Sequence, residues 1–310
     1  MIPGVAGISG GRTSAYMATL LSSDVVLSFQ NTGREHAATY RFLERLEQHL
    51  GRPIVWLEWR SPAPGCAPVE ASFEVVTAKT ANRTGKPFED MLRCLAAYRR
   101  ILKGLGPIAP WSMQRLCTSY LKIRTQRKYV EALGWDAYDE FVGLRADEPK
   151  RIVQARARET QRRGGQLPLA DAGIVKQDVI RYWAGQPFDL DLEEPFGNCD
   201  GCFLKDEADL SRIMAHPDTD FAWWERMQRE YQGFGGNDKT PYSTLRAEAP
   251  LRLEIERRRR GSEPVLVQLP SGMTRRRFKL IVRQEVKRIA NGATPFSCNC
   301  EVGGDVEEAS

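Results

Sequence analysis

Two adjacent glycines and three hydroxyl side chains lie within one short segment near the start of the chain, residues 9–14. Paired glycines let the backbone turn sharply and let a ligand approach the backbone N–H groups closely. The segment stands between a strand pattern and a helix pattern, and a helix N-terminus adds unpaired donors with a partial positive charge. It therefore predicts a phosphate-binding loop, with an ordinary strand–turn–helix corner as the alternative. The residues of the loop are Ser9, Gly10, Gly11, Arg12, Thr13 and Ser14.

A pair of cysteines in a glycine-containing turn, Cys199 and Cys202, is the strongest metal-binding signal in the sequence. Two thiolates at this spacing can bind one metal centre while backbone N–H groups of the turn stabilise the sulfur atoms. Zinc sites, redox dithiols and iron–sulfur clusters all use this spacing. The three histidines are not spaced as a pair, which disfavours a mixed Cys/His zinc site. Seven cysteines, an odd number, favour metal or thiol chemistry over a disulfide framework.

The elements that must position these residues alternate between strand and helix patterns. Alternation of this kind predicts a parallel sheet with helices on both faces, which binds ligands at the carboxyl ends of its strands. Residues 9–14 and the run Asn31, Thr32 and Gly33 both fall at such ends, so both are candidate nucleotide contacts. The first three strands are predicted at residues 5–8, 24–29 and 54–59.

Later parts of the chain supply a second group of candidates. A strand predicted at 141–145 ends at Arg145, whose guanidinium can contact phosphates through several donors. A strand is also predicted at 73–77. Helices are predicted at 88–103, at 174–183, from 207 onward, and at 251–260 and 275–290.

The first loop resembles the pyrophosphate loop of the PP-loop superfamily, which includes ATP pyrophosphatases and phosphoadenosine-phosphosulfate reductases. Ser9, Gly10, Gly11 and Ser14 match its Ser-Gly-Gly-x-x-Ser pattern. Arg12 stands where a lysine is more usual in the ATP-cleaving members, so the loop alone does not settle ATP hydrolysis. The resemblance implies a Rossmann-like α/β fold of the adenine-nucleotide alpha-hydrolase type, here with a mainly helical C-terminal extension.

Two further runs extend the resemblance over roughly residues 5–205. Asn-Thr-Gly-x-Glu at 31–35, with Thr39, is similar to the second signature of the reductase-like branch. Cys-Thr-x-x-Leu-Lys at 117–122, followed by Gly-Leu-Arg-Ala-Asp-Glu at 143–148, is similar to a pairing found in the iron–sulfur members. The order of these runs most closely resembles the sulfurtransferase branch that includes the ATP-pyrophosphatase subunit of DNA phosphorothioation systems.

The resemblance implies an ATP pyrophosphatase that adenylates its substrate, with ATP and Mg²⁺ bound at the loop. Ser14, Lys122 and Arg145 are then the expected catalytic residues. It also implies a 4Fe–4S cluster on Cys117, Cys199, Cys202 and one of the tail cysteines. In the alternative, the tail pair carries sulfur as a persulfide or disulfide and another residue is the fourth ligand. The tail pair is Cys298 and Cys300.

Three functions remain open. The first is sulfur incorporation into a nucleic-acid phosphate, with DNA and a cysteine desulfurase as partners. The second is reduction of an adenylyl sulfate, but the Glu-Cys-Gly-Leu-His motif of those reductases is absent from the sequence. The third is a nucleotide- and DNA-binding regulatory subunit with a structural cluster.

Charge and hydropathy set the remaining expectations. Residues 251–290 hold twelve Lys or Arg and four Asp or Glu, in a chain whose net charge is only +5, which is typical of a protein with a polyanionic partner. The alternative is a solvated helix face with internal salt bridges. The chain is expected to comprise a nucleotide-binding region, 1–205, and a basic helical region, 206–310. No signal-peptide pattern precedes the loop and no apolar run could span a membrane, so a cytoplasmic protein is expected.

Overall fold

A six-stranded sheet forms the centre of the part of the chain that the structure describes. The strands lie in the order β4-β3-β2-β1-β5-β6, and all neighbours pair in parallel except β3 and β4. The Rossmann-like α/β prediction is therefore confirmed, with an antiparallel strand at one edge. The strands are β1 (Gly4–Gly7), β2 (Val26–Asn31), β3 (Ile54–Arg60), β4 (Ser72–Val76), β5 (Tyr138–Phe141) and β6 (Arg163–Gln166).

This computed structural model describes residues 2–64, 66–104, 114–157, 159–160, 163–192, 196–197, 199–216, 219–231, 234, 240–260 and 268–290. Cys298 and Cys300 lie outside these residues. None of the helices within these ranges is long and apolar enough to cross a membrane.

The helices connect the strands and then form the C-terminal part of the described chain. In the first half they are α1 (Arg12–Leu20), α2 (Ala37–Leu50), the short 3₁₀ helix Pro68–Glu70, α3 (Lys86–Lys103) and the π-helical segment Cys117–Arg124, which continues into α4 (Thr125–Ala132). They are followed by α5 (Pro149–Arg156), α6 (Pro168–Asp171), α7 (Lys176–Ala184), α8 (Glu207–Met214), α9 (Ala222–Glu230), α10 (Tyr242–Arg260) and α11 (Arg275–Ala290).

The predicted strand at 141–145 is wrong in position. Strand β5 covers Tyr138–Phe141, and the chain leaves the sheet at Val142. The apolar run that favoured a strand is instead a loop in which Leu144 is buried and donates its backbone N–H to the Val142 carbonyl. Burial explains both the run and the error, because a buried loop carries the same apolar pattern as a short strand.

A small hydrophobic cluster joins α10 to α11, and two large cores lie among the described elements. One lies between the sheet and helices α1, α2 and α7. The other is rich in aromatic side chains and joins residues from both sides of residue 205, including Trp59 and Phe88 on one side and Trp224 and Tyr242 on the other. The division of the chain at 205 stays a prediction. The second core also contains Cys199 and Cys202.

Candidate functional site

The carboxyl ends of β1 and β5 meet where the strand order of the sheet reverses. From β1 the chain continues to β2 on one side, whereas β5 pairs with β1 on the other. Ligands of open α/β sheets bind in the crevice at such a point. The loops after the two strands touch here, since a Cβ on Gly143 would lie 3.1 Å from the Cα of Ser14. A pocket at this point is lined by Gly7, Ile8, Ser9, Phe29, Gln30, Lys122, Glu140, Phe141, Val142 and Gly143.

The loop after β1 is built around the hydroxyl of Ser14. This buried hydroxyl accepts a hydrogen bond from the Ser9 backbone N–H at 3.1 Å and lies 2.9 Å from the Ser9 hydroxyl. Gly10 has φ +79°, and a Cβ there would meet Thr39 Cγ2 at 2.3 Å, so only glycine fits. Gly11 precedes α1 and no side chain of the described structure caps that helix end. The N-terminus of α1 thus keeps backbone donors without a side-chain cap, as an anion site requires.

The side chain of Arg12 is directed to a different partner from the one the sequence suggested. Its Nε and Nη2 atoms donate to the two carboxylate oxygens of Asp189 at 2.6 and 2.7 Å, and Nη1 donates to the Leu192 carbonyl at 3.3 Å. The indole of Trp183 donates to the Arg12 carbonyl at 2.9 Å. Arg12 therefore ties the start of α1 to residues 189–192, and its predicted contact with the nucleotide stays a prediction.

Arg145 lies beside the loop that follows β1. Its Nη1 donates to the hydroxyl of Thr13 at 3.3 Å, and its Nε donates to Asp147 at 2.9 Å. The Glu148 carboxylate accepts from the Arg145 backbone N–H at 3.0 Å. The side chain is mostly buried and is held by groups from its own loop and from the loop after β1. The structure thus brings Arg145 and residues 9–14 together.

Asn31 uses its hydrogen-bonding capacity inside the protein. Its amide nitrogen donates to Glu58 at 2.7 Å and to the Asn82 carbonyl at 2.8 Å, while its oxygen accepts from Gly33 N–H and from the Tyr40 hydroxyl. An Asn side chain has no further donor to offer. The arrangement makes Asn31 a support for the turn that follows, and its predicted contact with the nucleotide stays a prediction.

The turn at residues 31–35 lies against the cysteine pair. The carboxylate of Glu35 accepts hydrogen bonds from the backbone N–H and the hydroxyl of Thr32. The Thr32 hydroxyl lies 3.6 Å from the sulfur of Cys199, and Glu35 and Cys199 form an isolated antiparallel bridge. The predicted nucleotide contacts at 31–33 and the predicted metal-binding turn at 199–202 are therefore direct neighbours.

The three cysteines of the described chain that the sequence assigns to a cluster share one environment. Cys199 and Cys202 are buried in the aromatic core, and Cys117 packs against it. Burial, and then the negative charges of Glu35 and Cys117, raise the pKa of the Cys199 thiol to about 12, although Lys122 and the Thr32 hydroxyl act in the opposite direction. A metal ion could supply the positive charge that makes such a thiol a thiolate.

Tyr242 lies in the same aromatic core as these thiols. Its pKa is raised well above the ordinary value, first by burial and then by charge on Cys202, Cys117 and Cys199. The Tyr242 hydroxyl donates to the carbonyl of Gly201 at 2.6 Å. All three candidate ligands are cysteines, and cysteine thiolates are the ligands that hold iron–sulfur clusters. Even so, no group of three or more His, Cys, Asp or Glu residues in the described ranges is arranged to hold a metal ion.

Sequence reasoning predicted Lys122 but missed the other buried polar side chains at the pocket, Gln30, Gln126 and Glu140. Lys122 and Gln30 line the pocket, as does Glu140. Gln126 connects them, since its oxygen accepts from Gln30 at 3.2 Å and its nitrogen donates to Glu140 at 3.1 Å. The available signal was the alternation of polar residues within β2, which puts Ser28 and Gln30 in a strand that is otherwise apolar and buried.

Comparison with known proteins finds a bacteriophage relative. The chain is 31% identical over 228 residues to the nin region protein ORF290 of Escherichia phage lambda, covering 67% of this chain and 72% of the phage protein. The chain belongs to the ORF290 family. No family model matches it. The phage protein is itself described as uncharacterized. Membership of the ORF290 family therefore assigns no reaction to this chain.

Proposed function

We propose that this protein is an adenylating ATP pyrophosphatase of the PP-loop type that takes part in sulfur transfer. One observation carries the proposal: a Ser-Gly-Gly-x-x-Ser turn, with a hydroxyl network and an uncapped helix N-terminus, lies at the point where the strand order reverses. Arg145 contacts this turn through Thr13. The combination suits a phosphate chain better than an ordinary corner, which needs neither the arginine nor the hydroxyl network.

In the proposed reaction, an oxygen of the substrate attacks the α-phosphorus of ATP. A bond forms between that oxygen and the α-phosphorus, and the bond from the α-phosphorus to the bridging oxygen of pyrophosphate breaks. The hydroxyls of Ser9 and Ser14 and the backbone N–H groups of the loop hold the departing pyrophosphate. Lys122 and Arg145 offset the negative charge that develops in the transition state. Mg²⁺ would neutralise part of the charge on the phosphate oxygens.

Cys117, Cys199 and Cys202, with Cys298 or Cys300 as the fourth ligand, would hold a 4Fe–4S cluster. Such a cluster would supply electron transfer or a site for sulfur. Through Thr32 and the Glu35–Cys199 bridge, it would lie next to the proposed nucleotide contacts at 31–33. A cysteine desulfurase is the proposed sulfur donor and DNA the proposed acceptor. The proposal places the protein in the cytoplasm, where cysteines stay reduced.

Ser14→Ala tests the loop. We expect pyrophosphate release from ATP to fall by at least about tenfold, because the variant leaves the Ser9 N–H without its acceptor and removes one hydroxyl from the site. The assay uses the full chain with Mg²⁺, DNA and a cysteine desulfurase. Thr19→Ala is the control: it removes a hydroxyl from the same helix, bonded to the Tyr16 carbonyl away from the loop.

Three results would contradict or redirect the proposal. An unchanged turnover number in Ser14→Ala removes the loop from the mechanism. Sulfite release from an adenylyl sulfate in the presence of thioredoxin favours the reductase. Tight binding of ATP and DNA with no turnover in the wild-type protein favours the function of a regulatory subunit.

Cys199→Ser tests the cluster. We expect anaerobically purified protein to lose its iron, its sulfide and its brown absorbance when this buried ligand is replaced. Cys94→Ser is the matched control, since Cys94 lies on α3 and belongs to no proposed ligand set. Full iron content in Cys199→Ser would exclude Cys199 as a ligand.

A further inference from the structure

The basic C-terminal segment contains two groups of cations that the structure separates. The inward-facing group is neutralised by glutamates. Arg252, only 1% exposed, pairs with Glu285 at 2.9 Å, and Arg288 pairs with Glu256 at 2.6 Å. Arg277 pairs with Glu248 at 2.6 Å. These ion pairs join α10 and α11, and their charge is not available to a partner.

The outward-facing group lies on α11. Its members are exposed, and none forms an ion pair with any residue that the structure describes. The sole acidic residue of α11 is Glu285, which is 1% exposed and faces Arg252. The exposed side of the helix therefore has cations and no anion. These cations are Arg275, Arg276, Lys279, Arg283 and Lys287.

Four of these five cations form one row along the helix. At about 100° per residue, Arg276, Arg283 and Lys287 fall within roughly 40° of one another, and Lys279 lies beside them. Residues four apart are separated by about 6 Å along the axis. Each strand of a DNA duplex carries a phosphate about every 3.4 Å of its axis, so one step along the row corresponds to about two phosphates.

We propose that this row on α11 binds the phosphate backbone of double-stranded DNA. The row matches a regularly charged polyanion in sign and in repeat. An anionic membrane is a poorer partner, because an interfacial helix must insert its apolar face. That face of α11 is occupied: Ile281 is fully buried against Leu251 and Ile255 of α10. The inference rests on the proposed function only in taking DNA as the acceptor.

The test compares two variants that lose the same charge. Arg283→Gln with Lys287→Gln removes two cations from the row. Arg257→Gln with Arg258→Gln removes two cations of α10 that both pair with Glu254, and it serves as the control. Affinity of the full chain for a fluorescein-labelled duplex is measured by anisotropy from 50 to 300 mM salt. Circular dichroism checks that both variants fold.

We expect the row variant to bind about tenfold more weakly, with a log–log salt slope shallower by about 1.8, since each phosphate contact contributes about 0.9. The control variant should keep the wild-type slope. An equal loss in both variants would overturn the assignment, as would a wild-type protein whose DNA binding is absent or independent of salt. Row-dependent binding to phosphatidylserine vesicles without DNA binding would also overturn it and would favour a membrane. Pyrophosphate release is assayed separately, so that either proposal can fail alone.

Discussion

Individual side chains around the candidate site divide into those that face the crevice and those that hold the loops in place. Ser14, Thr13 and Arg145 meet at the end of β1. Arg12 looks equally available in the sequence, yet Asp189 occupies the Nε and Nη2 edge of its guanidinium and the Leu192 carbonyl occupies Nη1. A bidentate arginine–carboxylate pair positions a backbone more strongly than a single hydrogen bond does. We therefore expect Asp189 to stabilise the conformation of the loop after β1, although the two are far apart in the sequence.

Asp189→Asn is expected to lower the free energy of unfolding by roughly 1 kcal/mol at pH 7. The loss is no larger because the Arg12–Asp189 pair is partly exposed to solvent. Burial raises the pKa of Asp189, but the hydrogen bonds from Arg12 and the Leu190 N–H outweigh it and hold the pKa below its ordinary 3.8. A lowered pKa contributes stability above pH 3.8 that is lost as pH falls through the folded-state value. The difference from wild type should therefore shrink toward zero in urea unfolding below about pH 3.8.

The control for this prediction is Asp191→Asn. Asp191 forms only an exposed ion pair with Arg45 at 3.5 Å, and its φ of +53° is one that Asn also tolerates. Its removal should change the free energy of unfolding by less than about 0.5 kcal/mol. An Asp189→Asn variant as stable as wild type at pH 7 would show that the pair with Arg12 is not formed in solution.

Gly10→Ala should lower the free energy of unfolding far more than substitution of a surface glycine does. A Cβ at Gly10 meets Thr39 Cγ2 at 2.3 Å in addition to the strain of φ +79°. Gly51 has φ +63° with nothing within 4 Å, so Gly51→Ala measures the backbone strain alone, about 1–2 kcal/mol. We expect Gly10→Ala to exceed that value in chemical unfolding and to lower pyrophosphate release. Equal losses for the two variants would mean that Thr39 moves aside freely.

At the scale of elements, the turn with Cys199 and Cys202 depends on the C-terminal helices. Gly201 lies against Trp224 of α9, where a Cβ would approach the ring to 2.3 Å. The hydroxyl of Tyr242, at the start of α10, donates to the Gly201 carbonyl at 2.6 Å. Two elements that follow the turn in sequence therefore determine its conformation, and through it the position of the thiols.

Tyr242→Phe is expected to cost about 1–2 kcal/mol, because a buried carbonyl loses its donor. We also expect lower iron content after anaerobic purification, since the turn is then held by packing alone. Tyr231→Phe is the control, as Tyr231 lies in the same core but its hydroxyl interacts with Arg93. Unchanged stability and iron content in Tyr242→Phe would show that the turn holds its shape without this hydrogen bond.

For the molecule as a whole, the aromatic core decides how the chain behaves on unfolding. Residues from β3, α3, the π-helical segment, α8, α9 and α10 contribute to it. A shared core of this kind couples the parts that meet in it. We expect a single cooperative transition in calorimetry, with equal calorimetric and van't Hoff enthalpies. Two separate transitions, one of them lost on deletion of residues 206–310, would show that the two regions fold independently.

Local patterns in the sequence were sufficient for the fold class and for the Gly-Gly turn between β1 and α1. The strands β1 to β3 and helix α1 follow from apolar periodicity, and the Gly-Gly turn follows from backbone sterics, all of which depend on neighbours within a few residues. The error at 141–145 has the same origin, because a buried loop and a buried strand share one pattern. These features depend on interactions between residues that are close in the sequence, so the sequence alone is enough to predict them.

Long-range contacts were decided only by the tertiary structure. The sequence could not show that Asp189 occupies Arg12, that Asn31 is saturated by Glu58 and Tyr40, or that Tyr242 holds the Cys199–Cys202 turn. Nor could it show which arginines of 251–290 face inward. Each depends on which distant groups meet once the sheet order is set, and many residues of compatible charge could have served. The sequence determined which chemistry was available, and the packing determined which groups remain free to perform it.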